Sequence, residues 1–152
     1  MYEAGIIMTV RQIMSSNVVY LTPEDNAVRA AKLFERHNFG MIPVCTKEGK
    51  LRGVVTDRDI TLRCVAFGNT PEETPLRDIM TRGIITVSPD DSVTKAAKLM
   101  SDEKIRCLPV IEGGKTVGII SISDLVKDKN LFSEVSSALF EISASKRKFR
   151  QK

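Results

Sequence analysis

Residues 11–46 and 77–112 align without a gap at an offset of 66 residues. The segment "RQIMSSNVVYLTPEDNAVRAAKLFERHNFGMIPVCT" lies over "RDIMTRGIITVSPDDSVTKAAKLMSDEKIRCLPVIE". Identical residues include Arg11, Ile13, Met14, Pro23, Asp25, Ala30, Ala31, Lys32, Leu33, Pro43 and Val44 with their partners. One residue then drops out at a turn, and "GKLRGVVTDRDI" (49–60) lies over "GKTVGIISISDL" (114–125). A fixed internal period restricts the chain to architectures built from one repeated unit. A unit of roughly 55–65 residues buries too little surface to stand alone.

Both copies parse alike. A short apolar strand is expected at Val18–Leu21 and at Ile84–Val87. A helix start follows at "TPEDN" or "SPDDS", with Asp25 and Asp91 as candidate capping residues. The helix carries paired alanines and large apolar residues at three- and four-residue spacing, so one face can approach a sheet closely. "MIPVC" or "CLPVI" then reads as a strand, a Gly-containing turn makes a hairpin, and "LRGVVT" or "TVGIIS" is its second strand. A second helix begins near Asp59 or Asp124. The unit is β-α-β-β-α. The fold class is α+β, an α/β sandwich of two such repeats packed sheet to sheet about a pseudo-twofold axis. The expected boundaries are an N-terminal extension over 1–10, repeats over 11–68 and 77–127, a polar linker over 69–76, and a C-terminal helix with a basic tail over 128–152. Gly68 is a candidate helix stop. Leu131, Val135, Leu139 and Ile142 share one side of the last helix, a packing or dimerisation surface.

Composition narrows the function. Of 152 residues, 42% are hydrophobic and only 5% aromatic, so aliphatic side chains must fill the core. No apolar run reaches the roughly 18 residues of a membrane span, and "AGIIMTV" (4–10) lacks the features of a signal peptide. Met8 is a candidate start, with residues 1–7 as added or leader sequence. The three cysteines, Cys45, Cys64 and Cys107, are widely spaced with no C-x-x-C, which fits a reducing cytoplasm and small core residues rather than disulfides. The single histidine, His37, is expected at a helix end, and a zinc site joining it to the cysteines is poorly spaced. No nucleophile–base pair is visible, so no enzyme, catalytic residue, metal or required cofactor is expected. The net charge of +4 comes largely from "SKRKFRQK" (145–152), a solvated tail or a nucleic-acid contact, the latter not favoured because no aromatic platform accompanies it.

The ordered set of Ala-Ala helix, x-Pro-Val strand and G-h-h-[ST]-x-x-D, present twice over about residues 11–126, resembles a tandem pair of CBS domains, named after cystathionine β-synthase. The resemblance implies a small stand-alone prokaryotic pair that often forms a homodimer, senses an adenosine-containing ligand of the AMP, ADP or ATP class, and signals to a separate effector protein. It implies that Asp59 and Asp124 accept both ribose hydroxyls, since an ionised carboxylate only accepts. Thr56 and Ser121, three residues earlier, can donate to a phosphate beside helix-start amides. The purine slot is lined by Val18, Val19 and Met41, or by Ile84, Ile85 and Cys107, with Pro43 and Pro109 of the x-Pro-Val strands also assigned to the sites. Arg106 is placed to reach the phosphate of the second site. The first has Gly40 there, with Arg58 as a substitute cation beside the repelling Asp57, so the second site is favoured. The same [ST]-x-x-D spacing also makes a helix capping box. Other readings are a ligand-free dimerisation or interaction scaffold, and nucleic-acid binding through the tail.

Overall fold

The computed structural model describes residues 7–144. The basic tail and the first six residues lie outside the described residues. In chain order the elements are α1 (Val10–Ile13), α2 (Ala27–Arg36), β1 (Ile42–Cys45), β2 (Leu51–Val55), α3 (Asp57–Asp59) continuing as a π-helical segment (Ile60–Val65), α4 (Leu76–Ile79), α5 (Val93–Glu103), β3 (Cys107–Glu112), β4 (Lys115–Ser121), α6 (Ile122–Leu125) and α7 (Phe132–Ala144). Single 3-10 turns cover Pro71–Glu73 and Lys129–Leu131.

Each repeat builds one antiparallel hairpin, β1–β2 or β3–β4, with a register shift after Val44 or Val110. The dropped residue lies in the turns. Glu112 pairs with Lys115 across Gly113 and Gly114, both at positive φ (58° and 75°), as a two-residue hairpin of this hand requires. The first hairpin closes more widely, Cys45 pairing with Leu51.

The expected first strands are not strands. Val18–Leu21 and Ile84–Val87 run extended and touch the hairpin at one residue each. The Leu21 amide donates to Pro43 O at 3.1 Å and Leu21 O accepts from the Cys45 amide at 2.8 Å. Val87 does the same with Pro109 O and the Ile111 amide. The proline amides have no N–H, so the ladder cannot continue alongside them.

Asn26 and Ser92, not the aspartates before them, cap the long helices. Their side chains accept the Arg29 and Lys95 amides at 3.0 and 3.1 Å. Asp25 and Asp91 instead tie the preceding turns, accepting the Thr22 and Ser88 amides at 2.7 and 2.8 Å. These hydrogen bonds, with Lys95, hold the Asp91 carboxyl below its usual range. The alanine pairs also differ: Ala96 and Ala97 are both buried, whereas Ala30 is buried and Ala31 is exposed. The reason is α7, which packs along α5 and covers a side that α2 leaves to solvent.

There are two cores, and each borrows from the other repeat. Leu21, Ala30, Ile42, Val44 and Val55 pack with Leu76, Ile79 and Met80. Ala97, Met100, Leu108, Val110 and Ile120 pack with Val10, and with α7 through Val135 and Ala138. Main-chain bonds make the exchange reciprocal. Ser15 and Ile119 exchange amide bonds at 2.9 and 3.0 Å, and Thr81 and Val54 do so at 2.8 and 3.0 Å. Arg11 adds an ion pair to Glu112 at 2.7 Å. Residues 8–15 thus belong spatially to the second unit and residues 74–81 to the first. The sequence repeats are not the packing units, and at the end of the expected linker Thr74 and Leu76 are buried, while residues 69–73 are exposed or half-buried.

Leu131, just before α7, and Val135 on it are buried and Ile142 packs against the core, while Phe132, Leu139 and Phe140 are exposed. Among the described residues no helix is long and apolar enough to cross a membrane.

Candidate functional site: two clefts between the repeats

Each G-h-h-[ST]-x-x-D segment ends a hairpin strand and opens a short helix. The Thr56 amide donates to Asp59 Oδ2 at 2.9 Å, and the Asp59 amide donates to Thr56 Oγ1 at 3.2 Å. The Ser121 amide and hydroxyl donate to Asp124 Oδ2 at 2.8 and 3.0 Å, and the Asp124 amide donates to Ser121 Oγ at 3.3 Å. Both are complete capping boxes. Both also line a cleft. Each carboxylate uses Oδ2 for the box, and among the described residues Oδ1 has only loose cation contacts, to Arg63 at 3.8 Å and to Lys127 at 3.7 Å. The side chains are only 12% and 17% exposed. A capped carboxylate of this kind has its position fixed before any ligand arrives.

The cleft beside Asp124 has a volume of about 630 Å³ and that beside Asp59 about 930 Å³, both within the range of roughly 300–1,000 Å³ for small-molecule sites. The exchanged arms set their walls. Ser121 and Asp124 face Val18, Val19 and Met41. Thr56, Arg58 and Asp59 face Ile84, Ile85, Thr81 and also Met41. The walls are therefore crossed relative to sequence order: each carboxylate meets the extended apolar segment of the other repeat. Arg106 and Cys107 line both clefts, although Arg106 was expected at the second site alone. Pro43 and Pro109 are buried in their strands, and neither lines a cleft. Their carbonyls hold Leu21 and Val87, which steadies the cleft walls from behind.

The electrostatics differ. At the Asp59 cleft, Asp57 opens the helix and its Oδ1 already takes the Arg58 amide at 2.9 Å. Ile122 stands at the equivalent place in the Asp124 cleft and adds no charge. The Asp59 cleft is otherwise lined by Arg58, Lys104, Arg106 and Glu103, and the Asp124 cleft has Arg106 as its single cation among the lining residues. Burial, followed by the nearby Asp124 charge, pushes the Cys107 thiol up to about 11, against a smaller lowering by Arg106. Cys107 is thus a neutral wall atom at physiological pH. Burial likewise raises the Cys45 thiol, which meets Thr116 Oγ1 at 3.5 Å. His37 ends α2 and stacks on Phe39, ring centroids 4.7 Å apart, so its role is to brace the Phe39 wall. Among the described residues no three His, Cys, Asp or Glu side chains form a group able to hold a metal ion.

Sequence reasoning missed Asn17, Asn38 and Ser123 in the first-described cleft, and Thr81 and Lys104 in the other. Thr81 had a detectable signal: it is the repeat mate of Ser15, which lines the opposite cleft. Lys104 reaches its place because it ends α5 in a left-handed conformation (φ 57°), which its sequence context does not announce.

The CBS domain family model matches residues 10–65 and 76–129. The chain is 35% identical over 135 residues to the CBS domain-containing protein YhcV of Bacillus subtilis, covering 89% of this chain and 95% of that protein. Its structure resembles the CBS domain pair of protein MJ0100, solved with 5′-methylthioadenosine and S-adenosyl-L-methionine, at a TM-score of 0.73 and 29% identity over 80% of this chain and 95% of that one. It shares its fold with the conserved CBS domain protein TA0289 of Thermoplasma acidophilum, at a TM-score of 0.79 and 23% identity, covering 91% and 78%. Two family matches in tandem, a relative aligned over nearly its whole length and a common fold place this chain in the CBS-domain family, as a pair of CBS domains.

Proposed function

We propose that the chain is a non-catalytic regulatory module that binds an adenosine-containing ligand in the clefts between its repeats and relays occupancy to a separate protein. The observation that carries this reading is the dual placement of Asp59 and Asp124, each locked by its own capping box and each lining a cleft with an apolar wall opposite. A carboxylate with one oxygen loosely held suits a ribose diol, the apolar wall suits a purine face, and Arg106 suits a phosphate. The similar CBS domain pair of MJ0100 was solved in complex with two adenosyl compounds. The Asp124 cleft is the better anion site, because Ile122 replaces the repelling Asp57 at its helix start. A ligand transmits a signal only if it prefers one of two packings. The apolar residues left exposed on the closing helices, Leu62 and Val65 on one repeat and Val126, Phe132 and Phe140 on the other, support pairing with a second copy.

The test is a thermal-shift panel of AMP, ADP, ATP, 5′-methylthioadenosine and S-adenosylmethionine. A binder at 100 times its Kd adds about 2.7 kcal/mol of stability. A flat response to every compound favours the scaffold reading.

A further inference from the structure

A pseudo-twofold pair has two equivalent positions at the common wall of its clefts, here Gly40 and Arg106. Both line both clefts. Had each been arginine, each cleft would own a guanidinium. Gly40 instead packs tightly on Cys107, where an added Cβ would stand 3.1 Å from Sγ. One guanidinium is left to serve two cavities. Among the described residues no carboxylate pairs with Arg106, so its donors are uncommitted. Among the described residues it is the sole cation lining the Asp124 cleft, and Asp57, Asp59 and Glu103 offset the other cations of the Asp59 cleft.

We propose that the two clefts antagonise one another for anionic ligands: a phosphate drawn to Arg106 from one cleft weakens binding of a second phosphate-bearing ligand in the other, while uncharged adenosyl ligands fill both independently. This rests on the adenosyl reading above. Two phosphates that share one guanidinium lie closer together than the screening length of about 8 Å at physiological salt, so their repulsion survives. The second phosphate also finds the donors of Arg106 already turned to the first. Coupling between sites typically spans about 5- to 150-fold in affinity. The pair thereby reports phosphate-bearing ligands with one bound molecule and neutral ones with two.

The test is titration calorimetry of the full chain with AMP and with 5′-methylthioadenosine. Asp59→Ala and Asp124→Ala each leave one working cleft and give its intrinsic affinity, with Asp→Asn as the substitute if alanine unfolds the chain. The expected result is a second AMP step in the native chain at least about 5-fold weaker than the weaker single-cleft affinity, with 5′-methylthioadenosine steps that match the single-cleft values. Arg106→Gln should weaken AMP and abolish the gap. In the native chain alone, added salt should narrow the gap for AMP and leave 5′-methylthioadenosine unchanged. AMP steps equal to the single-cleft affinities overturn the antagonism and leave the adenosyl reading standing. An absence of heat with both compounds overturns both.

Discussion

Ser121 and Asp124 hold one another's main-chain amides, at 2.8 Å to the carboxylate and 3.3 Å to the hydroxyl, at the mouth of a cleft whose opposite wall comes from the other repeat. One pair of side chains therefore closes a helix start and presents a carboxylate to a cavity. The two roles separate by substitution. Asp124→Ala removes an acceptor from the Ser121 amide and should cost about 0.5–2 kcal/mol, read as a lower urea midpoint. Asp124→Asn keeps an acceptor and should recover most of that stability. Both should lose ligand-induced stabilisation at this cleft, because alanine has no acceptor and in asparagine the box holds the oxygen and leaves an NH2 donor towards the cleft. Retained ligand response in Asp124→Ala contradicts a binding role for the residue.

The exchanged arms favour glycine at 53 and 118 for reasons of space rather than backbone angle. A Cβ on Gly53 would lie 2.6 Å from Thr81 O, and one on Gly118 would lie 2.6 Å from Met14 Sδ. Gly53→Ala pushes against main chain, which cannot swing away, and should cost about 1–3 kcal/mol. Gly118→Ala first meets the end of a flexible side chain and should cost less. Equal midpoints for Gly53→Ala and the native chain in urea would show that the arm does not dock there.

Leu76 is fully buried in the core of the first repeat although its sequence places it at the threshold of the second. Leu76→Ala should cost about 2–5 kcal/mol. Amide exchange should quicken in β1 and β2 more than in β3 and β4. The opposite distribution contradicts the exchange of arms.

The Cys107 thiol ionises at about 11 against an ordinary value of 9.0. Its folded-state pKa is raised, so the stabilisation is complete below pH 9 and is lost as pH climbs from about 9 through 11. Cys107→Ala should flatten that part of the native stability profile relative to the native chain. Alkylation at pH 8 should be much slower at Cys107 in the folded chain than in the unfolded chain, because little of the thiol is ionised. Labelling as fast as in the unfolded chain contradicts the raised pKa.

The repeat, the hairpins and the [ST]-x-x-D boxes that open the short helices at Asp59 and Asp124 are legible in the residues. Binary patterning and turn chemistry are local, and the two copies corroborate one another. What the sequence hid was docking between copies. Met14 and Met80, or Ser15 and Thr81, are repeat mates, so a pattern that fits one core fits the other equally well. Nothing local tells residues 8–15 to pack on the second unit. The crossed walls follow from that exchange, which is why Val18 and Val19 meet Asp124 rather than Asp59. Arg106 is a candidate anion contact by resemblance, and its place on both clefts depends on a wall common to the two, a property of packing alone. The capping roles of Asn26 and Ser92 were masked by neighbouring aspartates that suit a helix start equally well.

The most direct test of the account is an amide spectrum of the full chain titrated with AMP. Ligand held between the repeats should move the amides of Val18, Val19, Ser121 and Asp124, with Thr56, Asp59, Ile84 and Ile85 following if the other cleft fills, and Asp124→Ala should erase the first set. Shifts confined to the outer faces, such as Phe132 and Phe140, or no shifts at saturating AMP and 5′-methylthioadenosine, would contradict it.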